Sequence, residues 1–457
     1  MAQSIKFMGA ARTVTGSKHL LSMNGKTILV DCGLYQGSKE LSEKNREPFL
    51  FDVKGLDAVI VTHAHMDHIG LLPKLIREGY QGTFYATPAT IAIAQVSLPD
   101  SGWIQEEDAR YRAKKGLPNA TPLYTEDEAY QALKRFRPLH YYQTQSLPGG
   151  GQFRFIPAGH IFGSAFAEVY FENGERILMG GDLGRYDVPL IRDPAPVDFT
   201  EYLVIESTYG NRLHAKENVQ TVLKEIFEDA YAHSRVILVP SFAIGRTQEM
   251  LYHISALQSR GEMPRIPIFV DSPMAVEATK IYDRTHDDQD ADFKAMEEDG
   301  FDPLSPANLT LVRDSTQSKE LNVRPGPFMV IAGSGMANGG RIVHHLRHRL
   351  SDPSTLVLFT GYQADGTLGR RLLEGAEEVS IFGDEIPVRA EVRALQSMSA
   401  HADYEEMLRW LRNFKTPPKK TFLVHGEPEA MESLYGKIKE ELGWEVEMPV
   451  EGQTFSL

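Results

Sequence analysis

Four side chains able to bind a metal fall within six residues: His63, His65, Asp67 and His68, in the run Thr62-His63-Ala64-His65-Met66-Asp67-His68. The run follows the apolar segment AVIVT and precedes a helical pattern, which puts it at a strand-to-helix turn. His63 and His65 are two apart and can project from the strand end toward one ion, while Asp67 and His68 sit where the chain turns and can reach a second. Imidazole combined with carboxylate suits Zn²⁺, with Mn²⁺ and Fe also compatible. The competing reading is a polar loop whose histidines cap a helix. Clustered imidazoles without a partner cost desolvation free energy, which argues against it. Further ligands are available past other apolar runs: His160 after FRFIPAG, Asp182 after ERILMGG and His425 after KTFLV. Each taken alone reads as a surface-loop residue; the cluster makes them candidates. Asp31 ends TILVD and suits a supporting role, accepting a ring N–H so that a ligand histidine keeps one tautomer. Cys32, the only cysteine, reads as a small buried residue.

These residues need strands to hold them. SIKFMG, HLLSM, KTILVD, DAVIVTHAH and GTFYAT read as strands by alternation and β-branching. Asn24-Gly25 and Asn173-Gly174 predict hairpin turns. Helical patterns occur at IGLLPKLIREG and from Glu126 in EDEAYQALKRF. After about Glu206 the style changes to alternating units: NVQTVLKEIFEDAYAH, VILVPSF, GRTQEMLYHISALQS, IPIFVD, PFMVIAGSG, a helix around GGRIVHHLRHRL, then STLVLFTGY. That alternation predicts βαβ units and a parallel sheet. Near Glu391 the earlier style returns, so the expected fold class is α/β, with one domain interrupted by another.

Composition narrows the function classes. A chain of 457 residues with 42% hydrophobic and 24% charged residues is globular, of two or three domains. A net charge of −14 disfavours coating nucleic acid by bulk electrostatics, although a local basic groove remains compatible. A single cysteine excludes an internal disulfide and a Cys-rich zinc finger. The N-terminal residues lack the apolar core of a signal peptide, and the apolar runs are short and broken. The expectation is a cytoplasmic protein with no membrane association.

Together these residues resemble the metallo-β-lactamase-fold hydrolases of the β-CASP family, prokaryotic RNA-processing nucleases among them. Asp31, His63-x-His65-x-Asp67-His68, His160 and Asp182 carry the metallo-β-lactamase part. Glu206 in IESTYGNR, His401 in SMSAHAD and His425 in LVHGE carry the β-CASP part, with PSFAIGRTQE, GSGMANGGR and GYQADGTLGR. The resemblance covers essentially the whole chain. It implies a metallo-β-lactamase αββα sandwich over residues 1–207 and 392–457, with a β-CASP α/β domain inserted at 208–391. It also implies two Zn²⁺ per chain between the domains, one held by His63, His65 and His160, the other by Asp67, His68 and His425, with Asp182 bridging. Two such ions share a hydroxide that attacks phosphorus. His401 is then the expected proton donor to the leaving oxygen, with Glu206 orienting its ring; Asp67 and Asp31 complete the catalytic set.

Substrate grip is expected from the insert. The stretch from Gly339 to Arg371 carries Arg341, Arg347, Arg349, Arg370 and Arg371 against Asp352 and Asp365. Ser334, Arg341 and Arg370 are the candidates for phosphate contact. His344, His345 and His348 read as a polar helix face rather than a third metal site. The expected activity is zinc-dependent hydrolysis of single-stranded RNA, leaving 5′-phosphate and 3′-hydroxyl ends, endonucleolytic or 5′→3′ exonucleolytic. The alternatives are a DNA-directed β-CASP nuclease and a small-molecule hydrolase on the same fold; a silent RNA-binding scaffold is disfavoured because every expected ligand is present. A homodimer is left open.

Overall fold

The structure is a computed structural model that describes residues 3–361, 363 and 366–457. Tyr362, Ala364 and Asp365, part of the GYQADGTLGR segment singled out above, lie outside the described residues. Two compact units divide the chain: Met1–Leu213 with His401–Leu457, and His214–Ala400.

In the first unit two sheets face each other. One runs in the order Thr454–Ser456, Ser4–Phe7, His19–Met23, Lys26–Val30, Ala58–Ile60, Phe84–Ala86, Phe136–Pro138. The other runs Val446–Glu447, Lys420–Val424, Tyr202–Glu206, Arg176–Met179, Ala165–Tyr170, Gln152–Pro157, Gln145–Ser146. Alternation decides the faces: Ile5, Phe7, Leu21, Ile28 and Ile60 of one sheet share a core with Phe153, Phe155, Ala167, Ile177 and Val204 of the other. The neighbouring residues Phe166, Leu178, Leu203 and Ile205 point outward and are covered by the Tyr404–Leu411 and Pro428–Leu442 helices through Leu408, Trp410, Met431 and Leu434. On the first sheet's side the Leu72–Arg77, Pro88–Lys115 and Glu126–Leu133 helices pack together. The result is the αββα arrangement.

Both expected hairpins form. Asn24 and Gly25 take φ of 48° and 76° between the paired Met23 and Lys26, as a two-residue turn with left-handed centres requires. The Asn173-Gly174 turn is longer: the Phe171 N–H donates to Glu175 O, and Gly174 holds φ 88°. The sequence reading did not include the 28-residue Pro88–Lys115 helix. Its second half is mostly exposed, so no apolar stripe marks it, and Pro99 interrupts the pattern.

The second unit holds a six-stranded sheet, parallel throughout, in the order Leu309–Leu311, Ile268–Val270, Phe328–Ala332, Val236–Pro240, Thr355–Phe359, Glu391–Ala394. The four inner strands are buried apolar runs, as a sheet covered on both faces demands, while the edge strands Leu309–Leu311 and Glu391–Ala394 are partly exposed. Ile237, Val239 and Ile331 pack under the Val219–His233 and Arg246–Ser259 helices. Val236, Leu238 and Val330 pack under the Arg341–Arg349 helix. Among the described residues, no helix is long and apolar enough to cross a membrane.

Candidate metal centre

All seven expected ligands, with Asp31, Glu206 and His401, belong to the first unit. Most of them stand at strand ends. Asp31 follows Lys26–Val30, His63 follows Ala58–Ile60, and His160 follows Gln152–Pro157. Asp182 follows Arg176–Met179, Glu206 ends Tyr202–Glu206, and His425 follows Lys420–Val424. Backbone hydrogen bonds tie the loops together. Cys32 N–H donates to His68 O at 2.7 Å, Ser17 N–H to Asp67 O at 2.9 Å, and His425 N–H to Ala10 O at 2.7 Å. Gly33 is needed where the loops touch: a Cβ there would stand 1.6 Å from Asp67 O.

The ligand atoms form two sets that share one carboxylate. In the first, His65 Nδ1 lies 3.2 Å from His63 Nε2 and 3.1 Å from His160 Nε2, and Asp182 Oδ2 lies 3.4 Å from both Nε2 atoms. In the second, His68 Nε2 lies 3.2 Å from His425 Nε2 and 3.2 Å from Asp182 Oδ1. His425 Nε2 is also 3.3 Å from Asp67 Oδ2. Four donors bound at about 2.0–2.1 Å to one tetrahedral ion stand about 3.3–3.4 Å apart; the first set of four has this spacing, and the second brings Asp67, His68 and His425 together with Asp182 Oδ1 3.2 Å from His68 and 3.6 Å from His425.

Asp182 supplies the test of fit. It is 2% exposed, yet neither of its oxygens has a hydrogen-bond partner. A buried carboxylate without donors carries a desolvation cost of several kcal/mol unless a cation faces it. The protonation states suit a cation too. Burial lowers His63 below the ordinary histidine value and brings His65 down to about 4, so both rings are neutral ligands at pH 7. Burial pushes Asp67 and Asp182 up, but the facing imidazoles outweigh it, holding Asp67 near 2 and Asp182 well below the carboxylate range. Burial opposes charge on His68, and Asp182 with Asp31 overcomes it and raises the ring well above its ordinary value. The pocket therefore draws positive charge.

Supporting side chains set which ring nitrogen is free. His68 Nδ1 lies 2.8 Å from Asp31 Oδ2, the contact that the expected supporting role of Asp31 requires. The sequence reading missed two threonines. The Thr62 hydroxyl donates to Asp31 Oδ2 at 2.8 Å, so its oxygen accepts from His63 Nδ1 at 3.2 Å. The Thr208 hydroxyl donates to His425 O at 3.0 Å and accepts from His425 Nδ1 at 3.1 Å. Each contact turns an Nε2 lone pair toward the ligand set. Behind His68 and His425, a cavity of about 10 Å³ is bordered by Ser17, His19 and Asp31, room for about one water.

His401 stands beside the ligands without joining them. Its Nδ1 lies 3.0 and 3.1 Å from the Glu206 oxygens and 3.8 Å from Asp182 Oδ2. Glu206 is fully buried and also accepts from the Leu183 N–H at 2.8 Å and the Thr208 N–H at 3.3 Å. Burial lowers the His401 pKa, but the Glu206 carboxylate outweighs it and raises the ring to about 9.

The three expected phosphate contacts lie in the second unit, each with partners inside the chain. Arg341 donates to Asp271 Oδ1 at 2.6 Å, to Arg313 O at 2.7 Å and to Val312 O at 3.3 Å. Ser334 Oγ accepts the Asn338 N–H at 3.1 Å inside its own Gly-rich turn. Arg370 Nε donates to Glu374 at 2.6 Å in an exposed pair. The three helix histidines diverge: His345 is buried against Asp271 and Asn322, His344 faces the Phe382 ring, and His348 meets the His344 carbonyl.

The sequence matches three family descriptions in chain order. Residues 20–203 match the metallo-beta-lactamase superfamily, 247–372 the Beta-Casp domain, and 385–449 the Zn-dependent metallo-hydrolase RNA specificity domain. "Ribonuclease TTHA0252" of Thermus thermophilus is 40% identical over 443 residues, 96% of each chain. An "RNase J-like protein" of Methanocaldococcus jannaschii is 30% identical over 428 residues, 93% of this chain and 92% of that one. "Transcription termination factor FttA" of Methanosarcina mazei is 30% identical over 457 residues, 94% of this chain and 69% of that one. A crystal structure of a protein of unknown function from Enterococcus faecalis V583 superposes over 100% of both chains with a TM-score of 0.54 at 14% identity, a likeness of fold alone.

Proposed function

The chain belongs to the β-CASP branch of the metallo-β-lactamase superfamily, and from that premise we propose that it is a zinc-dependent ribonuclease. It hydrolyses phosphodiester bonds of single-stranded RNA in the cytoplasm and leaves 5′-phosphate and 3′-hydroxyl ends. Two Zn²⁺ ions are held by His63, His65 and His160 on one side and Asp67, His68 and His425 on the other, with one oxygen of Asp182 toward each set. When bound, such a pair supplies Lewis acidity toward phosphoryl oxygens and lowers the pKa of water near it toward neutrality.

The chain's own residues do the rest. Asp31, Thr62 and Thr208 keep Nδ1 protonated on His68, His63 and His425, so each presents a lone pair at Nε2. Glu206 holds the proton on His401 Nδ1 and keeps the ring charged at neutral pH. Nε2–H of His401 is then the proton given to the leaving 3′ oxygen, which a ligand bound to a cation cannot donate. Glu206 acts through His401 as its orienter.

The observation that carries this reading is Asp182: a buried carboxylate with no donor, its two oxygens divided between two sets of imidazoles. The test compares a labelled single-stranded RNA with its DNA analogue, with and without chelator, for the wild type and His401→Ala. Zinc near two equivalents, RNA-selective cleavage lost on chelation, and products that a ligase accepts only through a 5′-phosphate support it. Turnover that survives complete metal removal, or DNA cut as fast as RNA, overturns it.

A further inference from the structure

The second unit's sheet has a topological switch point between two neighbouring strands. The Val236–Pro240 strand leads into the Arg246–Ser259 helix on one face, and the adjacent parallel Phe328–Ala332 strand leads into the Arg341–Arg349 helix on the other. Neighbouring strands whose chains depart to opposite faces leave a gap outside their carboxyl ends, where open α/β sheets take their ligands. The turns at Ser241–Gly245 and Gly333–Gly340 border that gap. A Cβ added at Gly339, or at Gly361 past the Thr355–Phe359 strand, would meet nothing within 4 Å, so both sides are open.

Phe242 stands in the first of these turns and is 43% exposed. It is not a loose side chain on a loose loop. Its carbonyl accepts from Thr247 Oγ1 at 2.8 Å and from the Thr247 N–H at 3.3 Å. Gly335 lies against its ring, where a Cβ would come within 2.7 Å of Cδ2 and Cε2. The structure thus fixes an aromatic ring partly in solvent in the turn at this switch point, on a unit whose Arg341 is already committed to Asp271.

We propose that Phe242 is a base-stacking platform, binding a nucleobase of single-stranded RNA against its exposed ring. This rests on the ribonuclease reading above and adds to it a residue that grips substrate without charge. Every base offers a π face, so the grip tolerates sequence, with purines held more tightly than pyrimidines.

The test is steady-state cleavage of a single-stranded oligoribonucleotide by the metal-loaded wild type, Phe242→Ala, Phe242→Leu and Phe242→Trp, repeated on substrates made abasic at each position in turn. Stacking predicts that Ala and Leu each raise KM about tenfold with kcat within about twofold and zinc content unchanged, and that Trp restores KM. One abasic position then costs the wild type the same factor and costs the Ala variant nothing. Phe242→Leu keeps apolar bulk against Gly335; if it behaves as wild type, the ring only packs and the proposal fails. An abasic profile identical in wild type and Ala also overturns it. A wild type that neither binds nor cuts RNA removes the ribonuclease reading itself, a result distinct from normal cleavage with an unchanged KM in the variants.

Discussion

Each unit buries an aspartate beside histidine, and the two aspartates have opposite surroundings. Asp182 in the first unit faces His63, His68, His160 and His425, and no group donates a hydrogen bond to it. Asp271 in the second is as deeply buried but receives Arg341 at 2.6 Å, Ser318 Oγ at 2.6 Å and His345 at 2.7 Å. The first carboxylate faces imidazoles alone, with no arginine or lysine against it. The second has its counter-charge built in, and its network joins the end of the Ile268–Val270 strand to the Arg341–Arg349 helix. A buried His/Asp cluster is therefore diagnostic of a metal only when the carboxylate is left without donors.

Four substitutions break or sharpen this contrast. Asp182→Asn should have the largest effect: activity falls by about 10³ or more, with elemental analysis showing metal loss. Added metal should raise the melting temperature of the wild type and leave that of the variant nearly unchanged, because a ligand that binds only the folded state stabilises it in proportion to its affinity. His401→Ala should slow cleavage about 10²–10⁴-fold while zinc content stays at the wild-type level, separating the proton donor from the ligands beside it. Asp271→Asn should cost about 3 kcal/mol in chemical denaturation whether or not metal is present, since it leaves buried donors with a weaker partner. Asp31→Asn should be the mildest, weakening metal binding about 10–100-fold in chelator competition.

Acid titration sharpens the comparison further. Burial raises the Asp271 pKa, but the hydrogen bonds from His345, Ser318 and Arg341 outweigh it and hold the group below its ordinary value. A depressed folded-state pKa means a stabilisation present at neutral pH. It fades as pH drops below the unfolded value of about 3.9 and through the lower folded value. Asp271→Asn should flatten the stability profile below about pH 4 and leave its slope above pH 5 unchanged.

Much of the fold was legible because its signals are local. Asn24-Gly25 demands left-handed φ and so marks a hairpin wherever it lies. VILVP and IPIFV mark strands as short β-branched apolar runs, and the longer GRTQEMLYHISALQS between them marks a helix. The Pro88–Lys115 helix lacked such a signal, since half of it faces solvent and presents no stripe. Thr62 and Thr208 lacked one for another reason. A threonine orients a histidine only when chain pairing brings residue 31 beside 62, or 206 beside 425, and neither pairing has a mark in sequence order.

His63-x-His65-x-Asp67-His68, by residue type and spacing alone, committed the chain to divalent-metal chemistry, because several such donors at one strand end have few other stable uses. Arg341 shows where that kind of reading stops: its type suits a phosphate, and only the folded chain brings Asp271 to it first. Tertiary structure likewise decided that Asp182, 114 positions from His68, divides its oxygens between two ligand sets. The physical reason is common to both cases: the identity of a polar group sets what it can bind, while burial and neighbouring donors set what it still needs.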